Sequence, residues 1–94
     1  STAVTFKETA STEKTIKLVW NKVNNASGYE LLRLNNSKNT YSKIYTASAS
    51  TTSYIDQNLT ADTDYCYKIR AYYKTGNSTS YSPYSSISVC ICCC

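Results

Sequence analysis

The residues with the most chemistry in them are cysteines, and four of the five fall in the last five positions, "CICCC" at 90–94, with the fifth at Cys66. Thiolates at that density could hold a soft metal ion, form disulfides or belong to a tail with no part in the fold. Spacing argues against a metal cage: consecutive Cys92, Cys93 and Cys94 project in conflicting directions from an extended chain, and no second pair of CxxC type faces them. They are read as a Cys-rich C-terminal tail, 92–94, with a non-native origin as the favoured account, and no metal or other cofactor is expected. Histidine is absent, which removes the commonest general base near neutral pH and the base of a Ser-His or Cys-His pair. No catalytic residue is assigned, and the chain is not expected to be an enzyme. Asp56, Asp62 and Asp64 carry the oxygen ligands a hard cation needs, but the spacing and glycine of an EF-hand are missing. Turn-forming roles for these aspartates are the simpler reading.

Aromatic residues are the better functional lead, because ten of the 94 residues are tyrosine. A tyrosine presents a flat apolar ring with a polar tip, suited to stacking on sugar faces. Tyr41 and Tyr45, four apart and on one face of a regular strand, are candidates for ligand contact, with Tyr72 and Tyr84 if these point outward. The competing reading is that they cover sheet surface or a joint with a neighbouring domain. The net charge is +4, from ten basic residues spread along the whole chain. A nucleic-acid groove needs a concentrated basic face, so nucleic acid is not an expected partner. No apolar run reaches the about 20 residues that span a bilayer, and "STAVTFKETA" has neither a basic nor an apolar signal region. Membrane insertion is not expected, and the missing start methionine suggests an excised piece. Four Asn-x-Ser/Thr sequons, at Asn25, Asn35, Asn58 and Asn77, fall in expected loops.

The elements that must position these residues have a period of two. "TIKLVW" sets Ile16, Leu18 and Trp20 on one side. "GYELLRL" sets Tyr29 and Leu31 opposite Glu30 and Leu32, and "YCYKIRAYY" sets Tyr65, Tyr67, Ile69 and Ala71 against Cys66, Lys68, Arg70 and Tyr72. The last is a half-buried strand with a cationic solvent face. Weaker strands are expected at Ala3–Lys7, Tyr41–Thr46, Thr52–Ile55 and Ser85–Ile91, separated by Asn-, Asp-, Ser- and Gly-rich breaks such as "NKVNNASG" and "KTGNSTS". A hydrophobic content of 41% with 17% charged residues belongs to a globular chain, and this length supports one core. The expected fold is all-β: a seven-stranded antiparallel sandwich. No cysteine precedes position 66, so the core disulfide of an antibody domain is excluded.

From about Thr5 to Val89 the motifs resemble the fibronectin type III domain in its bacterial extracellular form, an immunoglobulin-like sandwich. The family's core tryptophan is matched by Trp20 in "TIKLVWNKV", and its Gly-Tyr strand opening by Gly28 and Tyr29. Its "tsYxDxxL" segment is matched by "TSYIDQNL", Thr52 to Leu59. Leu59, five residues and Tyr65 resemble its corner, and "YSPYS", Tyr81 to Ser85, its approach to the last strand. A tyrosine six residues after a leucine can bury its ring while its hydroxyl returns to upstream backbone, so Tyr65 is assigned to structure with Trp20, Tyr29 and Leu59. The cysteine-rich tail departs from the family.

The resemblance implies a domain over 1–91 and a module with no catalytic residues to transfer. No RGD tripeptide is present, so an integrin-binding loop has no residues to rest on. The expected function is a non-catalytic accessory or spacer module of a larger secreted or cell-surface protein, such as a bacterial carbohydrate-active enzyme or adhesin. It would contact neighbouring domains and be monomeric when isolated. The alternative is a module that binds polysaccharide or a cell-surface protein through exposed tyrosines and end loops; an engineered loop-display scaffold is a third reading. A final hairpin turning near Asn77 and Ser78 would bring Cys66 to within one register step of Cys90, as neighbouring thiols on the outer sheet surface.

Overall fold

Ile16, Leu18 and Trp20 are buried while Lys17 between them is exposed, so the first clear period of two in the chain is a strand with one face in a core. The computed structural model describes residues 4–12, 14–35, 37–60 and 64–90. Eight strands follow in order: β1 Phe6–Ser11, β2 Ile16–Trp20, β3 Gly28–Asn35, β4 Thr40–Ser48, β5 Ser53–Asp56, β6 Asp64–Thr75, β7 Ser78–Tyr81 and β8 Ser85–Cys90. One sheet has the order β1-β2-β5. The other runs β4-β3-β6-β7, with β8 also paired to β6. All pairings are antiparallel. The two sheets enclose Trp20, Tyr29, Leu31, Tyr67 and Ile69, none more than 2% exposed, and Tyr65 packs half-buried against them. The inward phase expected for each of these positions is the phase found.

Among the described residues the strands number eight where seven were expected, because the last hairpin is longer and then broken. The break read as "KTGNSTS" is mostly strand: Thr75 pairs with Ser78 around a two-residue turn, Gly76-Asn77. Gly76 has φ 60 and Asn77 does not have positive φ, the pattern of a II′ turn, whose twist matches the flanking strands. Four residues later the returning strand stops at "SPY", and β8 resumes pairing along the first half of β6. Pro83 has no N–H to give a ladder. Ser82 repairs the gap: its amide donates to the Ala71 carbonyl, and its buried hydroxyl accepts from the Ala71 amide at 2.9 Å. The first strand also lies later than expected, Phe6–Ser11 against Ala3–Lys7, with a bulge between Glu8 and Ala10.

Side chains and backbone close the ends of the sandwich. Tyr65 accepts a hydrogen bond from the Thr60 amide at 2.8 Å, while the Leu59 amide donates to the Lys14 carbonyl. The corner between β5 and β6 is thereby tied to β6 and to the connection between β1 and β2. That amide is exposed, and water can replace the phenol in Tyr65→Phe. The expected loss is therefore about 1 kcal/mol, measured by urea denaturation; a loss above about 3 kcal/mol would mean the hydroxyl has a larger role.

Gly28 shows how closely β3, β4 and β6 approach. A Cβ there would collide with the Ala47 carbonyl oxygen and lie 2.6 Å from the Tyr72 hydroxyl. The Tyr72 ring thus covers a residue that must be glycine. Gly28→Ala is expected to cost about 1 to 3 kcal/mol through forced backbone movement, read as a lower denaturation midpoint.

Candidate functional site

The outward side chains of β6 are Cys66, Lys68, Arg70 and Tyr72, alternating with the buried Tyr67, Ile69 and Ala71. Because β6 is central, its outward residues meet those of β3, β4, β7 and the segment before β8. Lys68 Nζ lies 4.3 Å from the ring centres of both Tyr41 and Tyr84. The Arg70 guanidinium lies 4.7 Å from the Tyr84 ring and 3.7 Å from that of Tyr81. The result is a continuous row across the sheet: Tyr41, Lys68, Tyr84, Arg70, Tyr81. Each cation–ring contact contributes about 0.5 to 1 kcal/mol at an exposed site. Glu30 braces the row, accepting from Arg70 Nε at 2.9 Å and pairing with Lys43 at 3.6 Å. Tyr81 and Tyr84 remain 43% and 38% exposed, among the most exposed large hydrophobic side chains of the described residues. A shallow groove of about 220 Å³ opens beside the row, lined by Glu30, Lys43, Tyr72, Lys74 and Tyr81 among others.

Of the four tyrosines singled out for ligand contact, Tyr41, Tyr72 and Tyr84 belong to this surface. Tyr45 does not. In a regular strand Tyr41 and Tyr45 would share a face, but the register shifts between Leu31, opposite Tyr45, and Leu32, opposite Lys43. That bulge puts an extra residue into β4 and reverses its phase. Tyr45 therefore turns towards the other sheet and stacks on Tyr54 with centroids 4.5 Å apart. Tyr81 was not singled out. Its signal is the alternation of Thr79 and Tyr81, which runs out of the "KTGNSTS" break into "YSPYS".

Trp20, Tyr29 and Leu59 are buried, and Tyr65 packs half-buried against the core. Trp20 Nε1 donates to the Thr51 carbonyl at 3.0 Å, and the Tyr29 hydroxyl accepts from the Val23 amide at 2.9 Å. Asp56 faces inward, between the sheets. It is 4% exposed, and one of its oxygens accepts from both Arg33 and the Tyr67 hydroxyl at 2.7 Å. Burial works against the Arg33 charge, but the hydrogen bond and charge of Asp56 outweigh it and hold the guanidinium pKa above its ordinary value. Burial, with the same carboxylate, pushes the Tyr67 phenol well above its ordinary value. This triad joins β3, β5 and β6. The signal for it was a charged residue, Arg33, in the inward phase of Tyr29 and Leu31.

Among the described residues no three His, Cys, Asp or Glu side chains gather as metal ligands; Asp62 and Cys92–Cys94 lie outside those residues. Cys66 is a free thiol on the outer surface, 3.5 Å from the Ser88 hydroxyl. The ladder pairs Cys66 with Ser88 and Cys90 with Asp64. The two cysteines are therefore diagonal in the ladder rather than face to face, because the II′ turn and the break at Ser82-Pro83 set the register. The side chain of Cys90 is outside the described residues.

No protein-family model matches the chain, and no curated protein matches it in sequence. Solved structures do. The fn3 domain of the human collagen alpha-1(XX) chain superposes with a TM-score of 0.78 at 16% identity, covering 98% of this chain and 86% of that one. This is a fibronectin type III fold. FN3tt matches with a TM-score of 0.70 at 24% identity over 96% of each chain. A segment of two fibronectin type III domains from chicken tenascin matches with a TM-score of 0.74 at 17% identity, over 90% of this chain and 46% of the segment. The fibronectin type III sandwich here thus carries its row of tyrosines and cations on the outer face of the larger sheet.

Proposed function

We propose that the chain is a non-catalytic accessory module of a larger secreted or cell-surface protein, of the type carried by bacterial carbohydrate-active enzymes and adhesins. It spaces and orients neighbouring domains and binds polysaccharide through the outer face of its larger sheet. The modular reading is supported by the tenascin segment, where two such domains occur in one chain. Buried Asp56 and Tyr67, with half-buried Arg33, are committed to one another between the sheets.

The observation that carries the binding reading is the row Tyr41, Lys68, Tyr84, Arg70 and Tyr81. It is a solvent-facing strip of aromatic and hydrogen-bonding groups held on a rigid sheet, the combination that recognises a sugar chain. The test is retention of the isolated domain on insoluble cellulose, chitin and cell-wall material. Retention on at least one of them, lost on replacing Tyr81 and Tyr84 together by alanine with an unchanged denaturation midpoint, is the expected result. Retention unaffected by that pair would remove the binding role and leave the spacer.

A further inference from the structure

The row of rings is not a free platform, and this bears on which sugar it suits. A neutral pyranose binds by laying an apolar face on an open ring. Here Tyr84 is contacted by two cations, Lys68 at 4.3 Å and Arg70 at 4.7 Å, and Tyr41 and Tyr81 by one each. Those rings hold cations in place rather than offering bare surface. Lys43 and Lys74 line the groove beside them. The outer face thus carries four cations, Lys43, Lys68, Arg70 and Lys74, against Glu30 and, at the far end of β6, Asp64.

The details favour a carboxylate as the visiting group. Glu30 binds the Nε side of Arg70, whose guanidinium lies on the Tyr81 ring at the groove's edge and adds positive charge beside it. Lys43 is held by Glu30 at only 3.6 Å and its side chain is 51% exposed, so it can turn to a ligand with little loss. The groove volume of about 220 Å³ is below the roughly 300 Å³ at which ordinary ligand pockets begin. It suits one unit of a chain that continues across the sheet.

Resting on the polysaccharide-binding reading, we infer that this groove takes one uronate unit of an acidic polysaccharide, with Lys43 and Lys74 on its carboxylate and Tyr72 and Tyr81 beside the sugar ring. Glu30 is then the group the ligand competes with. It holds Arg70 and Lys43 in place when the site is empty and repels the incoming charge. Removing its charge strengthens binding, where an ordinary ligand-contacting residue would weaken it.

The experiment measures binding of the domain to polygalacturonate, to the same polymer after methyl esterification, and to neutral cellulose. Binding to polygalacturonate is expected to be at least about tenfold tighter than to the ester, and to fade as salt approaches about 1 M, where screening reaches about 3 Å. Lys43→Ala with Lys74→Ala should weaken it about tenfold, and Glu30→Gln should tighten it several-fold, each with a folded circular-dichroism spectrum. Equal binding to the ester, or Glu30→Gln binding no more tightly than the wild type, overturns the inference. Retention on cellulose alone, lost with Tyr81 and Tyr84, would also overturn it while leaving the polysaccharide-binding module intact. Binding to none of the polymers, cell-wall material included, would overturn both.

Discussion

Replacing Trp20 by alanine is expected to lower the unfolding free energy by about 3 to 5 kcal/mol, the usual cost of emptying a buried aromatic site. The indole is 2% exposed. It meets Phe6 edge-on at 6.5 Å and Tyr29 at 5.9 Å, and its Nε1 donates to the Thr51 carbonyl. Three losses therefore coincide: the transfer of the ring, its contacts across the sandwich and a hydrogen bond that holds the loop before β5. Phenylalanine at the same position should recover part of the packing but not the bond to Thr51. Urea denaturation of the three proteins checks this, and a loss below about 1 kcal/mol for Trp20→Ala would remove the tryptophan from the core.

Asp56→Ala should be the other severe change, costing about 2 to 4 kcal/mol. Removing one member of a buried ionic group leaves its partners desolvated and unpaired, which costs more than the group contributed. Tyr67 is fully buried and would keep a hydroxyl with no acceptor, whereas the Arg33 side chain, 33% exposed, can reach water and softens the loss. The same triad has a signature in pH. The Tyr67 phenol is raised above the ordinary value of 10.0 by burial, and then by its hydrogen bond to Asp56 and that residue's charge. A group with a raised folded pKa contributes stability that is complete below the unfolded pKa and declines as pH rises beyond it, because the unfolded chain releases the proton first. Stability should therefore hold up to about pH 10 and then fall by up to about 1.4 kcal/mol per pH unit from this residue. In Tyr67→Phe that component of the alkaline slope should vanish. An identical slope in the two proteins would show that Tyr67 titrates normally in the fold.

The sequence by itself determined the fold class, the inward phases of β2, β3 and β6, the core place of Trp20 and Tyr29, and the corner at Leu59–Tyr65. These depend on what neighbours in the chain do: a period of two assigns alternate residues to faces, and the corner tyrosine reaches backbone only five residues away. It also showed Lys68 and Arg70 on a solvated face. Tertiary structure alone decided which rings they meet, since Tyr41, Tyr81 and Tyr84 come from different segments and converge only when β3, β4, β6 and β7 are in register. It decided that Tyr45 turns inward, because a single-residue bulge opposite Leu31 and Leu32 reverses every later side chain, and nothing in "YSKIYTAS" marks it. It placed Asp56 against Arg33 and Tyr67, residues 23 and 11 positions away, in a buried group whose members look like surface charge and core aromatic when read one by one. It also set Cys66 opposite Ser88 rather than Cys90, because the Gly76 turn and the interruption at Pro83 together count out the register of β8. Faces follow from local alternation, whereas partners follow from register, which depends on every turn and bulge between two strands.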